Sequence, residues 1–260
     1  MKEIGINLYS CRSSCGTEAD LLRTLDRLKA DGYTFLQVSA VPLAADVVRR
    51  AAAETGLPIR LTHVPYDRLL HDLDRVMEEH EAFGCRNIGL GMMPAQSLRE
   101  EAACRAEIER LENLALRLEK HGFQFYYHHH FMEFHRFGSR TIFDMLIEDA
   151  PHVQFTADTY WLQYGGVDVC GFLERLRGRI GCVHLKDYCI EKTADGGFGF
   201  QPAMCPVGDG VMDFRRIAET LKTCGTKYCF VEQDNADNHS DTFGQLARSA
   251  AYLQGTIDFD

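Results

Sequence analysis

The sequence predicts one closed (β/α)8 barrel that spans residues 1–260, and three observations support this prediction. The chain of 260 residues is close to the roughly 250 residues of an α/β barrel that folds as a single unit. Eight short apolar runs alternate with helix-like stretches, which favours parallel strands joined by helices. No change in composition separates the eight units, so one domain is favoured over two. An open doubly wound sheet is the alternative, but no G-x-G-x-x-G pattern follows the first apolar run.

Each strand is predicted from a short, mostly apolar run, and each helix from apolar residues that recur at helical spacing after it. In chain order, the predicted strands lie at residues 4–8, 35–39, 59–63, 87–91, 124–130, 153–158, 180–186 and 228–232. The later helices are expected near residues 44–55, 69–83, 97–118, 141–149, 168–177, 213–224 and 241–254.

The helix ends carry their own signals. Thr17 is the predicted N-cap of the first helix, and Gly32 is predicted to stop it. The helix after the fourth strand is expected to begin at Ser97, because Glu100 three residues later completes a capping-box pattern.

One long segment has no predicted helix or strand. It lies at residues 187–210, after the seventh strand, on the side of a barrel where active sites form. Loops of this length in compact domains are usually functional, so we expect a lid or binding loop. A tolerated surface insertion is the alternative.

Composition and charge disfavour some partners and locations for this protein. The net charge of −10 argues against nucleic acid, because proteins that bind it rely on Lys and Arg at phosphates. No apolar run approaches the roughly 18 residues of a membrane helix. The first ten residues, MKEIGINLYS, do not resemble a signal peptide, so a cytoplasmic protein is expected. The ten cysteines form no C-x-x-C pair and are interpreted as buried thiols.

Ionisable residues end several of the apolar runs, where a barrel places its chemistry. They include His63, the histidines 128–130, Asp158, His184 with Lys186, and Glu232. An unpaired buried charge is strongly unfavourable, but several charges that converge at one rim can share a cation. Strand alternation puts His184 and Lys186 on one face, directed into the barrel mouth.

Four of these polar residues are predicted to bind a divalent cation: Glu133, Asp158, His184 and Glu232. Three carboxylates and one imidazole suit a hard or borderline ion, with Mn²⁺ favoured over Mg²⁺ or Co²⁺. Zn²⁺ is the second choice, since the set has no thiolate and a single histidine. Glu133 lies beyond the strand end, where a solvated loop carboxylate would also be expected, and His128 or His130 would then replace it.

The other candidates also have structural interpretations. Asp158 would suit a helix N-cap. Glu232 would suit an ion pair with Lys186, and His184 a buried core histidine. His80 shares a helix face with apolar residues and is expected to lie in the core.

Six motifs resemble the sugar phosphate isomerase/epimerase family, the relatives of xylose isomerase and endonuclease IV that share one barrel. In chain order they are THVPYDR (62–68), YHHHFMEF (127–134), DTYW (158–161), VHLKD (183–187), VGDG (207–210) and VEQD (231–234). They span nearly the whole chain in the family's order. The resemblance implies a metal held by residues of the last four strands, which agrees with the set above. The chain departs from the family at His129, where Asn is frequent, and at Gln37, where the second strand often carries an inward Glu.

The resemblance implies a reaction on a sugar, a sugar phosphate or a cyclitol. The expected chemistry is metal-assisted proton abstraction next to a carbonyl or carbinol carbon, through an enediolate. Glu232 and Glu133 would act as base and acid, with Lys186 as a proton donor. The expected substrate-binding residues are His63, His128, His130, Trp161 and Arg68.

Three other functions remain alternatives. Loss of water or of another leaving group from the enediolate would make the protein a dehydratase or lyase on a keto-sugar or inosose. A nuclease like endonuclease IV would need a basic face for DNA, which the acidic charge does not favour. A non-catalytic sugar-binding barrel would have no reason to keep four candidate ligands. The resemblance also admits a homo-oligomer.

Overall fold

The computed structural model describes residues 3–193 and 199–256, and eight parallel strands close into a barrel there. The strands are β1 (Gly5–Asn7), β2 (Phe35–Val38), β3 (Ile59–His63), β4 (Asn87–Leu90), β5 (Gln124–His128), β6 (Gln154–Asp158), β7 (Cys182–Leu185) and β8 (Tyr228–Val231). Each strand pairs in parallel with the next, and β8 pairs with β1 through Gly5 and Phe230. The predicted (β/α)8 architecture is confirmed.

Helices connect the strands and pack against the outside of the barrel. They are α1 (Glu18–Ala30), α2 (Ala45–Thr55), α3 (Tyr66–His71), α4 (Leu73–Phe83), α5 (Glu101–Glu119), α6 (Ile142–Asp149), α7 (Thr159–Tyr164), α8 (Val169–Arg175), α9 (Phe214–Cys224) and α10 (Thr242–Thr256). Their buried apolar faces form the main hydrophobic core with the outward side chains of the strands. No helix within residues 3–193 and 199–256 has the length and apolar character needed to cross a membrane.

The helix ends show where local patterns hold. The Thr17 side chain accepts a hydrogen bond from the backbone of Asp20, as predicted for an N-cap. Gly32 follows the end of α1 with a φ of 100°, which confirms the predicted stop. The helix expected over 69–83 is instead two helices, because Asp72 between α3 and α4 has non-helical backbone angles.

The predicted capping box at Ser97 is wrong. Ser97 lies in a single 3-10 turn, Ala95–Leu98, where its backbone N–H bonds to the carbonyl of Pro94. The long helix α5 begins only at Glu101. A capping box forms elsewhere, at Thr141 before α6.

The segment 187–210, predicted to be irregular, contains a β-hairpin. Its strands Asp187–Lys192 and Phe200–Cys205 pair in antiparallel register over six residue pairs. Residues 194–198 of this segment lie outside the described residues. The functional role expected for the segment stays a prediction.

The base of the hairpin is fixed by Asp187. Its buried carboxylate accepts hydrogen bonds from the backbone N–H groups of Gly208 and Gly210, at 2.8 and 3.1 Å. A Cβ on Gly210 would lie 2.3 Å from the Asp187 carboxylate, so this close approach needs glycine. The hairpin is therefore anchored directly after Lys186, at the barrel mouth.

Inside the barrel, an apolar layer lies beneath a polar one. The apolar layer consists of Phe35, Leu61, Tyr126, Cys182 and Phe230. Two positions after each of these apolar residues, in the same strand or directly after it, the residue is polar: Gln37, His63, His128, His184 and Glu232. Because alternate side chains of a strand point the same way, each polar residue stands above an apolar one at the carboxyl end of its strand. Gly5 leaves room for this layer, since a Cβ there would lie 2.1 Å from the ring of Phe35.

His80 on α4 is a buried core histidine, as predicted. It is 2% exposed, its Nε2 lies 2.7 Å from the hydroxyl of Thr62, and its Nδ1 lies 2.7 Å from the carbonyl of Val76. Burial lowers the pKa of His80 to about 4.

We expect His80 to make stability depend on pH. Its folded pKa lies below the unfolded value of about 6.5, so the unfolded chain binds the extra proton between these values. The contribution is complete above about pH 6.5 and is lost as the pH falls toward 4, by on the order of 3 kcal/mol. His80→Gln should therefore show a weaker pH dependence of the free energy of unfolding, measured by urea denaturation across this range.

The matched control is His121→Gln at an exposed histidine, which should follow wild type at each pH. If His80→Gln also followed wild type from neutral pH down to about pH 4.5, the buried neutral histidine would be refuted.

Candidate metal centre

Four buried side chains converge at the carboxyl ends of the last four strands. They are His128 of β5, Asp158 of β6, His184 of β7 and Glu232 directly after β8. One nitrogen or oxygen of each lies within 4.8 Å of the others, which is the spacing of a group able to hold one metal ion. All four project from the inward face of their strands, above the apolar layer of the barrel.

His128 is oriented by the backbone of the fourth strand–helix unit. Its Nδ1 donates to the carbonyl of Gly91 at 3.1 Å. Its Nε2 faces Oδ2 of Asp158 at 3.3 Å. A histidine that donates through one ring nitrogen keeps a lone pair on the other, so Nε2 is free to bind a cation.

Asp158 combines two roles that the sequence presented as alternatives. Its Oδ1 accepts the backbone N–H of Trp161 at 3.0 Å and caps α7, as the N-cap interpretation predicted. Its Oδ2 faces the cluster. The backbone N–H of Asp158 donates to Nε2 of His129 at 3.0 Å, so this histidine fixes β6 from the side. Three consecutive histidines therefore have different surroundings, and His129 supports the ligands without joining them.

Lys186 is 1% exposed and lies among three carboxylates. Its Nζ lies 3.1 Å from Asp158, 3.3 Å from Glu232 and 2.9 Å from Asp234. Burial opposes the charged form of Lys186, but the carboxylates outweigh it and raise the pKa above its ordinary value. Burial likewise opposes ionisation of Asp158 and Glu232, yet the nearby cationic groups hold the pKa of both well below the usual range.

The charge at this cluster fits a divalent cation. Three carboxylates and one ammonium leave two negative charges in a buried volume. Nδ1 of His184 and Oε2 of Glu232 lie 2.5 Å apart. Two facing lone pairs require a proton or a cation between them. Burial acts against a charged His184, but Glu232 and Asp158 raise its pKa to about 9, so the cluster favours positive charge at this point.

Glu133, which the sequence placed among the predicted ligands, has different surroundings in the structure. It is fully buried, so it is not a solvated loop carboxylate, but it lies outside the cluster. Its Oε1 accepts the hydroxyl of Tyr127 at 2.6 Å, and its Oε2 accepts the backbone N–H of His130 at 2.8 Å. Both oxygens therefore brace the turn after β5. His128, one of the histidines left open as a replacement, takes the fifth-strand position.

With His128 in place of Glu133, the donor set has two imidazoles and two carboxylates. Such a set suits borderline ions such as Co²⁺ and Zn²⁺ better than a set of three carboxylates does, and its two carboxylates still suit Mn²⁺. The residues present therefore fit a divalent cation.

A cavity of about 330 Å³ opens above the cluster. Its lining consists of Tyr9, His63, Gly91, Met92, His128, His130, Lys186, Glu232 and Asp234. This size lies within the range of about 300–1,000 Å³ typical of small-molecule sites. Burial lowers the pKa of His63 well below its usual range and that of His130 to about 2, so both rings are neutral.

Two lining residues with polar side chains, Asp234 and Tyr9, were not selected from the sequence. Asp234 lies two positions beyond Glu232, so the same strand alternation that identified Glu232 would have found it. Burial raises its pKa. Tyr9 lies in the 3-10 turn that follows β1, and no sequence pattern distinguishes it.

Two predicted substrate-binding residues lie away from the cavity lining. Arg68 on α3 forms ion pairs with Glu79 of α4 at 2.9 Å and with Asp72, between α3 and α4, at 3.1 Å. Its guanidinium is therefore paired with these two carboxylates. Trp161 lies beside His130, with ring centroids 5.3 Å apart and ring planes inclined by 53°, and Nζ of Lys186 lies 5.5 Å from the indole ring centroid. The indole therefore packs against His130 and makes a cation–π contact with Lys186.

Comparison with known proteins identifies relatives. Residues 25–254 match the family described as "Xylose isomerase-like TIM barrel". An inosose dehydratase from Geobacillus thermodenitrificans (strain NG80-2) is 33% identical over 164 residues, which are 57% of this chain and 52% of that protein. The aligned part thus spans about half the length of that curated relative.

Solved structures share the fold. A sugar phosphate isomerase/epimerase from Parabacteroides distasonis ATCC 8503 is 21% identical, with a TM-score of 0.79 over 98% of each chain. A xylose isomerase-like TIM barrel protein from Mycobacterium smegmatis, solved in complex with magnesium, is 16% identical, with a TM-score of 0.72 over 98% of each chain. At these identities the likeness concerns the fold alone.

We expect His128, and not Glu133, to be needed for metal binding. His128→Ala removes a ligand, so Mn²⁺ affinity should fall by at least about 100-fold, beyond the effect typical of outer-shell changes. Glu133→Gln keeps an acceptor for Tyr127, so affinity should stay within about tenfold of wild type while the melting temperature falls. Isothermal titration of the metal-free proteins with Mn²⁺ measures both affinities. The opposite order of the two variants would return Glu133 to the ligand set.

Proposed function

This chain belongs to the xylose isomerase-like TIM barrel family, and on that premise we propose that it is a divalent-metal-dependent isomerase or epimerase. We further propose that the barrel acts as one domain on a sugar, a sugar phosphate or a cyclitol. The observation that carries this proposal is the buried His128, Asp158, His184 and Glu232 cluster beneath a cavity with ionisable walls.

The residues of the cluster would hold the cation in a defined position. His128 and Asp158 have their second polar atoms occupied by Gly91 and Trp161, so their free atoms are directed inward. When bound, a divalent cation supplies Lewis-acid stabilisation of the negative charge that develops on substrate oxygens.

Glu232 and Lys186 are the acid–base pair that the cavity supports. Glu232 is ionised and lines the cavity, so its carboxylate can accept a proton from the carbon next to a carbonyl. Lys186 is protonated, and its Nζ lies 3.3 Å from the Glu232 carboxylate, so it can donate a proton to a substrate oxygen. Asp234 holds Lys186 from the other side at 2.9 Å. Glu133 does not line the cavity, so we do not assign it the acid role that the sequence suggested.

His63 and His130 would position the substrate. Both line the cavity as neutral rings, which can exchange hydrogen bonds with hydroxyl or carbonyl groups without adding charge. Polar groups that fix orientation within a small cavity are what a hydroxylated ring requires.

A dehydratase or lyase is the second candidate. The 33% identity with an inosose dehydratase favours it. After proton abstraction by Glu232, donation of the Lys186 proton to a β-hydroxyl would release water in place of returning a proton to carbon. The two candidates therefore share the first step and differ in the fate of the second proton.

The nuclease alternative gains no support. Among the described residues, Lys186 is the one Lys or Arg side chain that lines the cavity, and carboxylates surround it. A phosphodiester backbone would meet a negative surface there.

We expect a substrate screen to detect proton abstraction. A panel of ketoses, 3-keto sugars and inososes, incubated with wild type and Mn²⁺ in D2O, should show deuterium at one carbon of the true substrate.

We expect Lys186→Met to separate metal binding from catalysis. Lys186→Met removes a cation that competes with the metal, so Mn²⁺ should bind at least as tightly. Turnover to product should fall by about 10²–10⁴-fold, the usual contribution of a positioned acid or base. Arg68→Met, at a cation outside the cavity, should match wild type.

The products decide between the candidates. A recovered epimer or isomer supports the first proposal, and an unsaturated product with ultraviolet absorption supports the second. Absence of exchange with every compound, in protein shown to contain Mn²⁺, would count against both.

A further inference from the structure

A single amide connects the metal cluster with the substrate cavity. Gln37 on β2 is fully buried and stands one layer above Phe35, inside the barrel. Its Oε1 lies 2.7 Å from Nε2 of His184, and its Nε2 lies 3.1 Å from Nε2 of His63. Gln37 therefore touches a candidate metal ligand with one atom and a cavity-lining histidine with the other.

The chemistry of the amide assigns the proton on each ring. The Gln37 carbonyl oxygen can only accept, so His184 must donate through Nε2–H, and Nδ1 is the ring nitrogen left to bind a cation. The Gln37 NH2 group can only donate, so His63 must accept on Nε2 and, as a neutral ring, carries its proton on Nδ1.

A third contact occupies the second N–H of the amide. The NH2 group of Gln37 also donates to Oγ of Ser39 at 3.1 Å. The reversed amide would present NH2 to His184, and Nδ1 of that ring would then carry a proton and could not bind a cation. The direction seen is the one compatible with a metal ligand at His184.

We propose that Gln37 is a positioning residue whose one amide sets the tautomers of both His184 and His63. This inference extends the proposed function to the substrate side of the same site. His184 is held with Nδ1 toward Asp158 and Glu232, at 3.6 and 2.5 Å. His63 is held with Nδ1–H toward Gly91, on the cavity side. The substrate group that meets His63 is therefore a hydrogen-bond acceptor, such as a carbonyl or hydroxyl oxygen.

The backbone supports this placement. The register of β2 against β3 shifts by one residue between Leu36 and Gln37. Such irregularities occur near active sites, where they redirect a side chain. The shift lies at the residue that must reach both histidines.

Glutamine differs from glutamate at this position in a way that can be tested. A carboxylate would still accept from His184, but it has no hydrogen to donate to His63. His63 would then have to place its proton on Nε2. Gln37→Glu therefore changes one histidine selectively, and Gln37→Met removes both hydrogen bonds with little change in volume.

The experiment uses two measurements on the full chain. Two-bond ¹H–¹⁵N correlation spectra of the metal-free protein, with His63 assigned from the signals lost in His63→Asn, report the tautomer. Titration with Mn²⁺ reports affinity. The matched control is Gln254→Met, which removes one hydrogen bond, to the carbonyl of Gly32, on a helix outside the barrel.

In wild type, we expect His63 to carry its proton on Nδ1. In Gln37→Glu, His63 should shift to the Nε2–H form while Mn²⁺ affinity is kept. In Gln37→Met, Mn²⁺ affinity should fall by about 10–100-fold, as for other partners that orient metal ligands. Gln254→Met should leave both measurements unchanged.

The inference is overturned if His63 has the same tautomer in wild type and Gln37→Glu, or if Gln37→Met binds Mn²⁺ like wild type. Its failure is distinct from failure of the metal centre. A wild-type protein that binds no Mn²⁺ would refute the metal centre, whereas the His63 tautomer in metal-free protein tests Gln37 by itself.

Discussion

The site depends on the two-residue period of a β-strand. Successive side chains point to opposite faces, so an inward residue is followed two positions later by another inward residue. In this barrel Phe230 is followed by Glu232 and Cys182 by His184, and the apolar residues close the barrel beneath the polar ones. The same period continues outward to Asp234 and Lys186. Folding the apolar layer therefore places the charged layer, and neither can shift register without moving the other.

This period also explains what the sequence could predict. Asp158, His184, Lys186 and Glu232 all lie on or next to apolar runs whose alternation can be read directly, and the structure brings them together. The eight runs themselves predicted the closed barrel because strand-helix alternation of that number has few other solutions. The fold and the centre of the site follow from the same local rule.

The residues whose position differs from the prediction lie where the chain leaves the alternation of a strand. Glu133 follows β5 after a turn, and spacing alone does not show that the turn directs its carboxylate back to Tyr127. Arg68 lies on a helix, where the acidic neighbour Asp72 four residues later was a visible partner. Ser97 matched a capping box, but a 3-10 turn used its backbone N–H first. In each case the position of the side chain or the start of the helix depends on a contact that spacing along the sequence does not show. The contact is a tertiary hydrogen bond for Glu133, an ion pair for Arg68 and a 3-10 turn for Ser97.

Charge balance gives a reason for an imidazole at the fifth strand. Lys186 and Asp234 lie 2.9 Å apart and offset each other's charge, which would leave Asp158 and Glu232 to balance the proposed divalent cation. A third carboxylate ligand in place of His128 would add a negative charge that nothing in the cluster offsets, at the high cost of a buried unpaired ion. His128 contributes a lone pair without a charge. The Lys186–Asp234 pair keeps an ammonium group beside the cavity. With the proposed divalent cation in place, the neutral imidazole of His128 would then leave the whole cluster without net charge.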